Sequence, residues 1–258
     1  MSLNNINNNP NKNNIIGDPF IELKKVDSTN SYAIEQVQAN LAQHGFAYFA
    51  HQQTAGKGQR GKEWTSEPMC NIILSVVIDT SFILINNQFA LSVCIALACK
   101  DFLNRYTNEE IKIKWPNDLY WRDRKAAGIL IENIIRGHEW SWAIVGIGMN
   151  INQTEFPLTL KNPVSLTQIT NASYNTPQLA KELCNCIEAF YQQLKSNGAK
   201  EQLVEYNKHL YKLNERATLK KESILLECSI KGVNAFGELL ISESIYDTFK
   251  FGEVEWVI

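Results

Sequence analysis

The sequence predicts an α+β fold: a mixed, mostly antiparallel central sheet with helices, then a small C-terminal β-barrel. Three observations point there. Strand-like runs flank the glycine-rich stretch near residue 56 and double back around Arg136-Gly137-His138. Long helix-period stretches open near Gln88 and Thr176. From Ala217 the texture changes to short β-rich runs punctuated by Gly232, Gly237 and Gly252. A boundary near Asn214 divides the chain into an Asn-rich arm (1–17), a large domain (18–213) and a small unit (214–258).

Met1–Gly17 is dominated by Asn and reads as a loose arm. Phe20–Val26 alternates as a half-buried strand does. Ser28 is placed to cap a helix whose stripe is Ile34, Val37 and Leu41, with Gly45 as its stop. Ser28, Thr29 and Asn30 fit a plain cap, and equally a helix start that offers hydroxyls, an amide and free N–H groups to a ligand.

Gly45–Ala50 is an apolar, aromatic strand run. It leads into Gln52-Gln53-Thr54-Ala55-Gly56-Lys57-Gly58-Gln59-Arg60-Gly61-Lys62, and Asn71–Ile78 is a second strand run beyond it. Glycine admits close backbone approach. Successive N–H groups form a concave anion site. Lys57, Arg60 and Lys62 add charge, so the loop suits a polyanion such as a triphosphate. Alone, it fits a solvated basic turn just as well. A dinucleotide fingerprint is excluded, although Asp79 stands where its acid belongs. That fingerprint needs a helix opening at the glycines, and Lys62–Cys70 is short and carries Pro68. A Walker-type phosphate loop is excluded because Glu63, not Ser or Thr, follows Gly61-Lys62.

Gln88–Tyr106 predicts a largely buried helix. Ile111-Lys112-Ile113-Lys114 alternates as a strand that must end at Pro116, which has no N–H to give a ladder. Asn117-Asp118 follows at the turn, which alone suits an ordinary turn better than a site. Lys125-Ala126-Ala127-Gly128 opens a strand with a cation at its mouth. After the hairpin, Gly146 and Gly148 sit two residues apart and face one side of a sheet, a pattern of close approach by a ligand or a backbone. Thr176-Pro177 reads as the cap and first turn of the clearest helix, striped by Leu179, Leu183, Ile187, Phe190 and Leu194 and ended by Gly198. A further helix spans about 200–210.

Composition bounds the partners. The chain has 258 residues, 45% hydrophobic, and a net charge of −2, with no concentrated basic face to attract nucleic acid. It has no apolar run long enough to span a bilayer and no signal-peptide pattern, so a cytoplasmic protein with no membrane or DNA partner is expected. Its six cysteines are scattered. Cys184-x-Cys186 lacks metal-site spacing, so buried free thiols are the expectation.

Read together, Ser28-Thr29-Asn30, Gln53–Gly61, Lys114-Trp115-Pro116-Asn117-Asp118, Lys125–Glu132 and Gly146–Asn152 resemble, in order and spacing, the biotin protein ligases (biotin–acetyl-CoA-carboxylase ligases). The resemblance covers about residues 20–155. It implies a synthetase-like catalytic fold with a small barrel of the Src-homology-3 type. It also implies two steps: ATP activates biotin as biotinyl-5′-adenylate with release of pyrophosphate, and a lysine of a biotin carboxyl carrier protein (a part of acetyl-CoA carboxylase) then takes the biotinyl group. Mg²⁺ is implied by the triphosphate; its ligands are not.

By resemblance, Ser28, Thr29, Asn30, Gln53, Gly58 and Gln59 belong to the biotin side, with Gly128 and Gly148 giving close approach. Gly56, Lys57, Gly58, Arg60, Lys62, Trp64, Asn117, Asp118 and Asn150 belong to the nucleotide side. Lys57 and Lys125 are the candidates to neutralise biotin's carboxylate and the α-phosphate, and Asp118 the candidate to take the acceptor lysine's proton. Lys57 and Gln59 stand where many members carry arginines, so faster loss of the adenylate is expected. The family's bifunctional members have an N-terminal helix-turn-helix domain, but only 27 residues precede Ser28 here, so a ligase without repressor function is expected. The resemblance leaves room for a homodimer through the central sheet, at the hairpin near Gly137. Two rivals stay open: a lipoate protein ligase, and a non-catalytic module that binds nucleotide or carrier protein.

Overall fold

A computed structural model describes residues 14–137 and 139–257 of the chain. Seven strands form the main sheet: β1 (Phe20–Leu23), β2 (Ala47–Ala50), β3 (Ile72–Asp79), β4 (Ile111–Lys114), β5 (Asp118–Trp121), β6 (Arg124–Arg136) and β7 (Glu139–Met149). Their order is β1-β2-β3-β7-β6-β5-β4. Only the β1–β2 pair is parallel, so the sheet is mixed and mostly antiparallel.

The helices are α1 (Thr29–Gln38), α2 (Phe89–Asn104), α3 (Leu166–Thr170), α4 (Thr176–Asn197) and α5 (Lys200–Lys208). The buried residues of α2 and α4 join the sheet in one continuous core. That covers one face. The other is covered only in part: α1 lays Ala33 and Val37 on Tyr48, Val77 and Ile144. The remainder of that face, around Gly128 and Gly148, is left for a cleft.

Local boundaries follow local chemistry. Ser28 caps α1, accepting from the Ser31 N–H. The helix stops at Gln38, well before Gly45, because Asn40 turns left-handed (φ 55°). Leu41, counted on the stripe, is therefore exposed. The cap of α4 is Asn175, which accepts from the Gln178 N–H at 3.0 Å. Thr176 is the first helical residue and not the cap.

Residues 1–13 of the expected arm lie outside the described residues. Asn14–Gly17 are not loose: Ile16 is buried and donates its N–H to Glu188, and Gly17 donates to the carbonyl of Gly45. Gly137 turns the β6–β7 hairpin at φ 63°; His138 lies outside the described residues. The six cysteines are free thiols, five of them buried and Cys70 half-buried.

The C-terminal strands are β8 (Arg216–Lys221), β9 (Ile224–Val233), β10 (Leu239–Ser242), β11 (Thr248–Phe249) and β12 (Glu255–Val257), in the order β11-β10-β9-β8-β12. The sheet is open: β11 and β12 do not pair, so the expected barrel is not closed. A barrel needs staggered strands long enough to meet, and the edge strands have two and three residues. The unit docks instead on the main domain. The Trp115 indole donates to the Gly237 carbonyl at 2.9 Å and the Trp256 indole to the Trp115 carbonyl at 3.0 Å. Among the described residues, no helix is long and apolar enough to cross a membrane.

Candidate active site

Strand register builds the floor of the cleft. Lys114 on β4, Asp118 on β5, Gly128 on β6 and Gly148 on β7 are successive partners across the sheet. One pleat further on, Leu130, Gly146 and Ser75 form a second row. Gly146 and Gly148 thus share a face, as their spacing requires. They receive different neighbours. A Cβ on Gly148 would lie 2.2 Å from the Trp64 ring, and one on Gly146 would lie 2.4 Å from Asn30 Oδ1. The close approach expected at Gly128 and Gly148 is made here by the Trp64 indole at Gly148, and by the Lys125 side chain with the Trp64 ring edge at Gly128.

A β-bulge aims the key cation. Tyr120 and Leu119 of β5 face Lys125 and Ala127, so β6 spends two residues on one step of its partner. By alternation alone, Lys125 and Ala127 would share a face, and Ala127 is in the core. The extra residue reverses Lys125 toward the cleft. Its Nζ lies 2.7 Å from Asp118 Oδ1, a close ion pair without hydrogen-bond angles, and 5.7 Å from the Trp64 ring centre. The strand mouth is braced by the Lys125 N–H donating to Asn162, the Val164 N–H donating to Lys125, and the Asn150 amide donating to Lys125 and Val164.

The glycine loop forms the roof. Gly58 donates its N–H to Lys62 at 2.7 Å and Trp64 to Gly56 at 2.9 Å. A side chain at Gly56 would strike the Trp64 carbonyl at 2.3 Å, so a residue with a Cβ is excluded there. Arg60 reaches the C-terminal unit, donating to the Gly252 carbonyl at 2.8 Å. Gln59 and Asn117 both donate to the Ile129 carbonyl, at 3.5 and 2.8 Å. Gln59 Oε1 and Trp64 Nε1 are buried without a partner among the described residues.

These parts enclose one cleft of about 740 Å³. Ser28, Thr29, Asn30, Gln53, Lys57, Gly58, Gln59, Arg60, Lys62, Trp64, Asn117, Asp118, Lys125, Gly128, Gly148 and Asn150 all line it. Gly56 does not; it serves the loop's own backbone. Asn30 lines the cleft, but both ends of its amide are used internally, by Glu132, Leu130 and Ser75.

Three residues were not singled out by sequence reasoning. Ser75 and Glu132 hold Asn30 from behind; a serine inside Ile72-Ile73-Leu74-Ser75-Val76-Val77-Ile78 and a charge inside Ile129–Ile135 were the available signals. Lys114 lines the cleft with its Nζ 4.9 Å from the Tyr120 ring centre and 5.4 Å from that of Trp256. Burial pushes its pKa down to about 8, and neighbouring Lys125 and Lys62 push the same way against Asp118.

The site is thus a pocket with a hydrogen-bonding inner end, a glycine-loop roof and several cations, a layout for bringing anions together. No group of three or more His, Cys, Asp or Glu side chains among the described residues is placed to hold a metal ion.

Comparison with known proteins places the chain among its relatives. Residues 22–150, half of the chain, match the model of the biotin/lipoate A/B protein ligase family. The chain is 30% identical over 180 residues to the bifunctional ligase/repressor BirA of Escherichia coli, covering 66% of this chain and 54% of that protein. It is 28% identical over 165 residues to the biotin–[acetyl-CoA-carboxylase] ligase of Mycobacterium tuberculosis, covering 63% of this chain and 60% of that one. The chain therefore spans little more than half the length of these curated relatives. Its fold matches the biotin protein ligase of Aquifex aeolicus in complex with biotin and ATP, with a TM-score of 0.76, 26% identity and coverage of 95% and 99% of the two chains.

Proposed function

The chain belongs to the biotin/lipoate A/B protein ligase family, and from that premise we propose that it activates biotin with ATP as biotinyl-5′-adenylate and transfers it to a lysine of a biotin carboxyl carrier protein. One observation carries this reading: Lys57 and Lys125 line the same cleft as Thr29, Gln53 and Asp118. Two anions, biotin's carboxylate and the α-phosphate, must approach each other there. Fixed ammonium groups and N–H donors in a partly dry site offset their repulsion. The inner end, with Ser28, Thr29 and Gln53, takes the head group of biotin. The glycine loop, Asn117 and Lys114 face the nucleotide.

Asp118 is engaged by Lys125. When Lys125 turns to the reacting anions, the carboxylate is released and becomes free to accept a proton from the acceptor lysine. The cleft's carboxylates are Glu63, Asp118 and Glu255. That donor set suits a Mg²⁺ ion that arrives on the triphosphate and keeps mainly phosphate and water ligands. Such an ion supplies charge neutralisation at the phosphates.

The test is transfer of labelled biotin to a carrier domain, with and without ATP, beside pyrophosphate release. Transfer that requires both biotin and ATP is expected. Transfer of lipoate in place of biotin would assign the other ligase of the family, and absence of both products would leave a binding module.

A further inference from the structure

Behind the cleft wall runs a chain of polar contacts whose far end is a carboxylate. Neither Ser75 nor Glu132 lines the cleft. A carboxylate accepts and does not donate, so Glu132 decides which end of the Asn30 amide faces it. Asn30 Nδ2 donates to Glu132 Oε2 at 2.7 Å and, more weakly, to the Leu130 carbonyl at 3.4 Å. Asn30 Oδ1 must then face Ser75, whose Oγ lies 2.5 Å away. That contact uses the only proton Ser75 has.

Ser75 Oγ is also 2.7 Å from Thr29 Oγ1, and the proton between them must come from Thr29. A second claim on it, by Gln53 Oε1 at 3.1 Å, is the longer and weaker one. Gln53 Oε1 already accepts the Thr29 N–H at 2.7 Å, which fixes the oxygen end of that amide inward. Thr29 is thereby left with a lone pair as its free valence, and Gln53 with its NH₂ group.

We propose that Glu132 and Ser75 are positioning residues that set the hydrogen-bonding polarity of the cleft's inner end, so that an acceptor at Thr29 stands beside a donor at Gln53. A cyclic urea carries the complementary pair, an N–H next to a C=O. This deepens the function proposed above and rests on biotin being the substrate. With the relay broken, the Thr29 proton keeps only the longer contact to Gln53 Oε1 at 3.1 Å, so the hydroxyl is held less firmly with its lone pair toward the ligand.

The experiment is isothermal titration calorimetry on the full chain with biotin, desthiobiotin and ATP, for the wild type, Ser75→Ala and Glu132→Gln, with Tm recorded for each. Ser75→Ala is expected to weaken biotin on the order of tenfold, the worth of one hydrogen bond. Desthiobiotin keeps the urea and lacks the sulfur ring, so it should weaken by the same factor, while ATP affinity holds; Tm should fall modestly, because the buried Asn30 Oδ1 loses its donor. Glu132→Gln keeps an acceptor and should fall between Ser75→Ala and the wild type. Unchanged biotin affinity in Ser75→Ala overturns the proposal. So does parallel loss of biotin, ATP and Tm, or loss confined to biotin with desthiobiotin unaffected. A wild type that binds no biotin overturns the functional reading itself, which is a different result.

Discussion

Lys125 Nζ lies 2.7 Å from Asp118 Oδ1, and the pair exists because a bulge in β6 turns Lys125 away from the core and over the first residue of β5. On the function proposed above, this contact links the two steps: Lys125 would serve adenylation, and Asp118 would serve transfer once Lys125 has left it.

Asp118→Asn is accordingly expected to slow transfer from preformed adenylate more than it slows adenylate formation. General-base assistance is typically worth about 10²–10⁴-fold. Single-turnover kinetics of the two half-reactions measure the split, and equal slowing of both would remove the base role. Lys125→Gln should show the opposite bias, with adenylation reduced on the order of 10²-fold or more, as for loss of a preorganised electrostatic contact.

Lys114 predicts a pH dependence. Burial lowers its pKa from 10.5 to about 8, so in the folded protein it carries charge below about pH 8 and loses it above. Because the unfolded state keeps its proton up to about 10.5, this group costs stability below pH 8, and that cost fades as pH rises from about 8 to 10.5. Its attraction for phosphate has the reverse trend. KM for ATP is expected to be flat below pH 8 and to rise above it. Lys114→Arg should remove the bend, since a guanidinium stays protonated, and Lys114→Met should raise KM with no bend at all. A bend that persists in both variants belongs to another group.

Gly146→Ala tests the second row of the floor. The new Cβ would lie 2.4 Å from Asn30 Oδ1, and Asn30 cannot withdraw because Glu132 and Ser75 hold both ends of its amide. Overpacking of this kind costs about 1–3 kcal/mol. Thermal denaturation should show the lower Tm, and biotin titration a weaker affinity. A variant with wild-type Tm and affinity would mean that the network yields easily.

How much of this was legible in the chain depends on the range of the interaction. Local chemistry was readable: Ser28 caps α1, β4 ends before Pro116, and the alternation of Gly146 and Gly148 puts both on the cleft face. The loop from Gln53 to Trp64 was legible only in part: alone it fits a solvated basic turn just as well, and its place on the cleft comes from contacts across the fold, such as Trp64 against Gly148. The bulge was not legible, since alternation without it would send Lys125 to the wrong face. Nor was the pairing of Asn30 with Ser75 and Glu132, which lie 45 and 102 residues away. Lys114 looked like an ordinary strand lysine; its lowered basicity comes from burial, with Lys125 and Lys62 pushing the same way, and the fold brings Lys62 there from 52 residues away. The open edge of that sheet depends on how short β11 and β12 turn out to be, which composition does not state.

Gln59 offers the last test. Its amide donates weakly to the Ile129 carbonyl at 3.5 Å, and its Oε1 is buried without a partner among the described residues. An unpaired buried acceptor in a cleft built for anions adds repulsion where a donor would add attraction. Gln59→Arg replaces that oxygen with a charged fork able to meet a phosphate in two places. The bound adenylate is therefore expected to dissociate more slowly from the variant than from the wild type, by about one order of magnitude for a single charge-assisted contact. Stopped-flow release of the intermediate in the absence of acceptor measures it. An unchanged release rate would show that position 59 does not face the adenylate, and that Lys57 and the loop's N–H groups hold it without help.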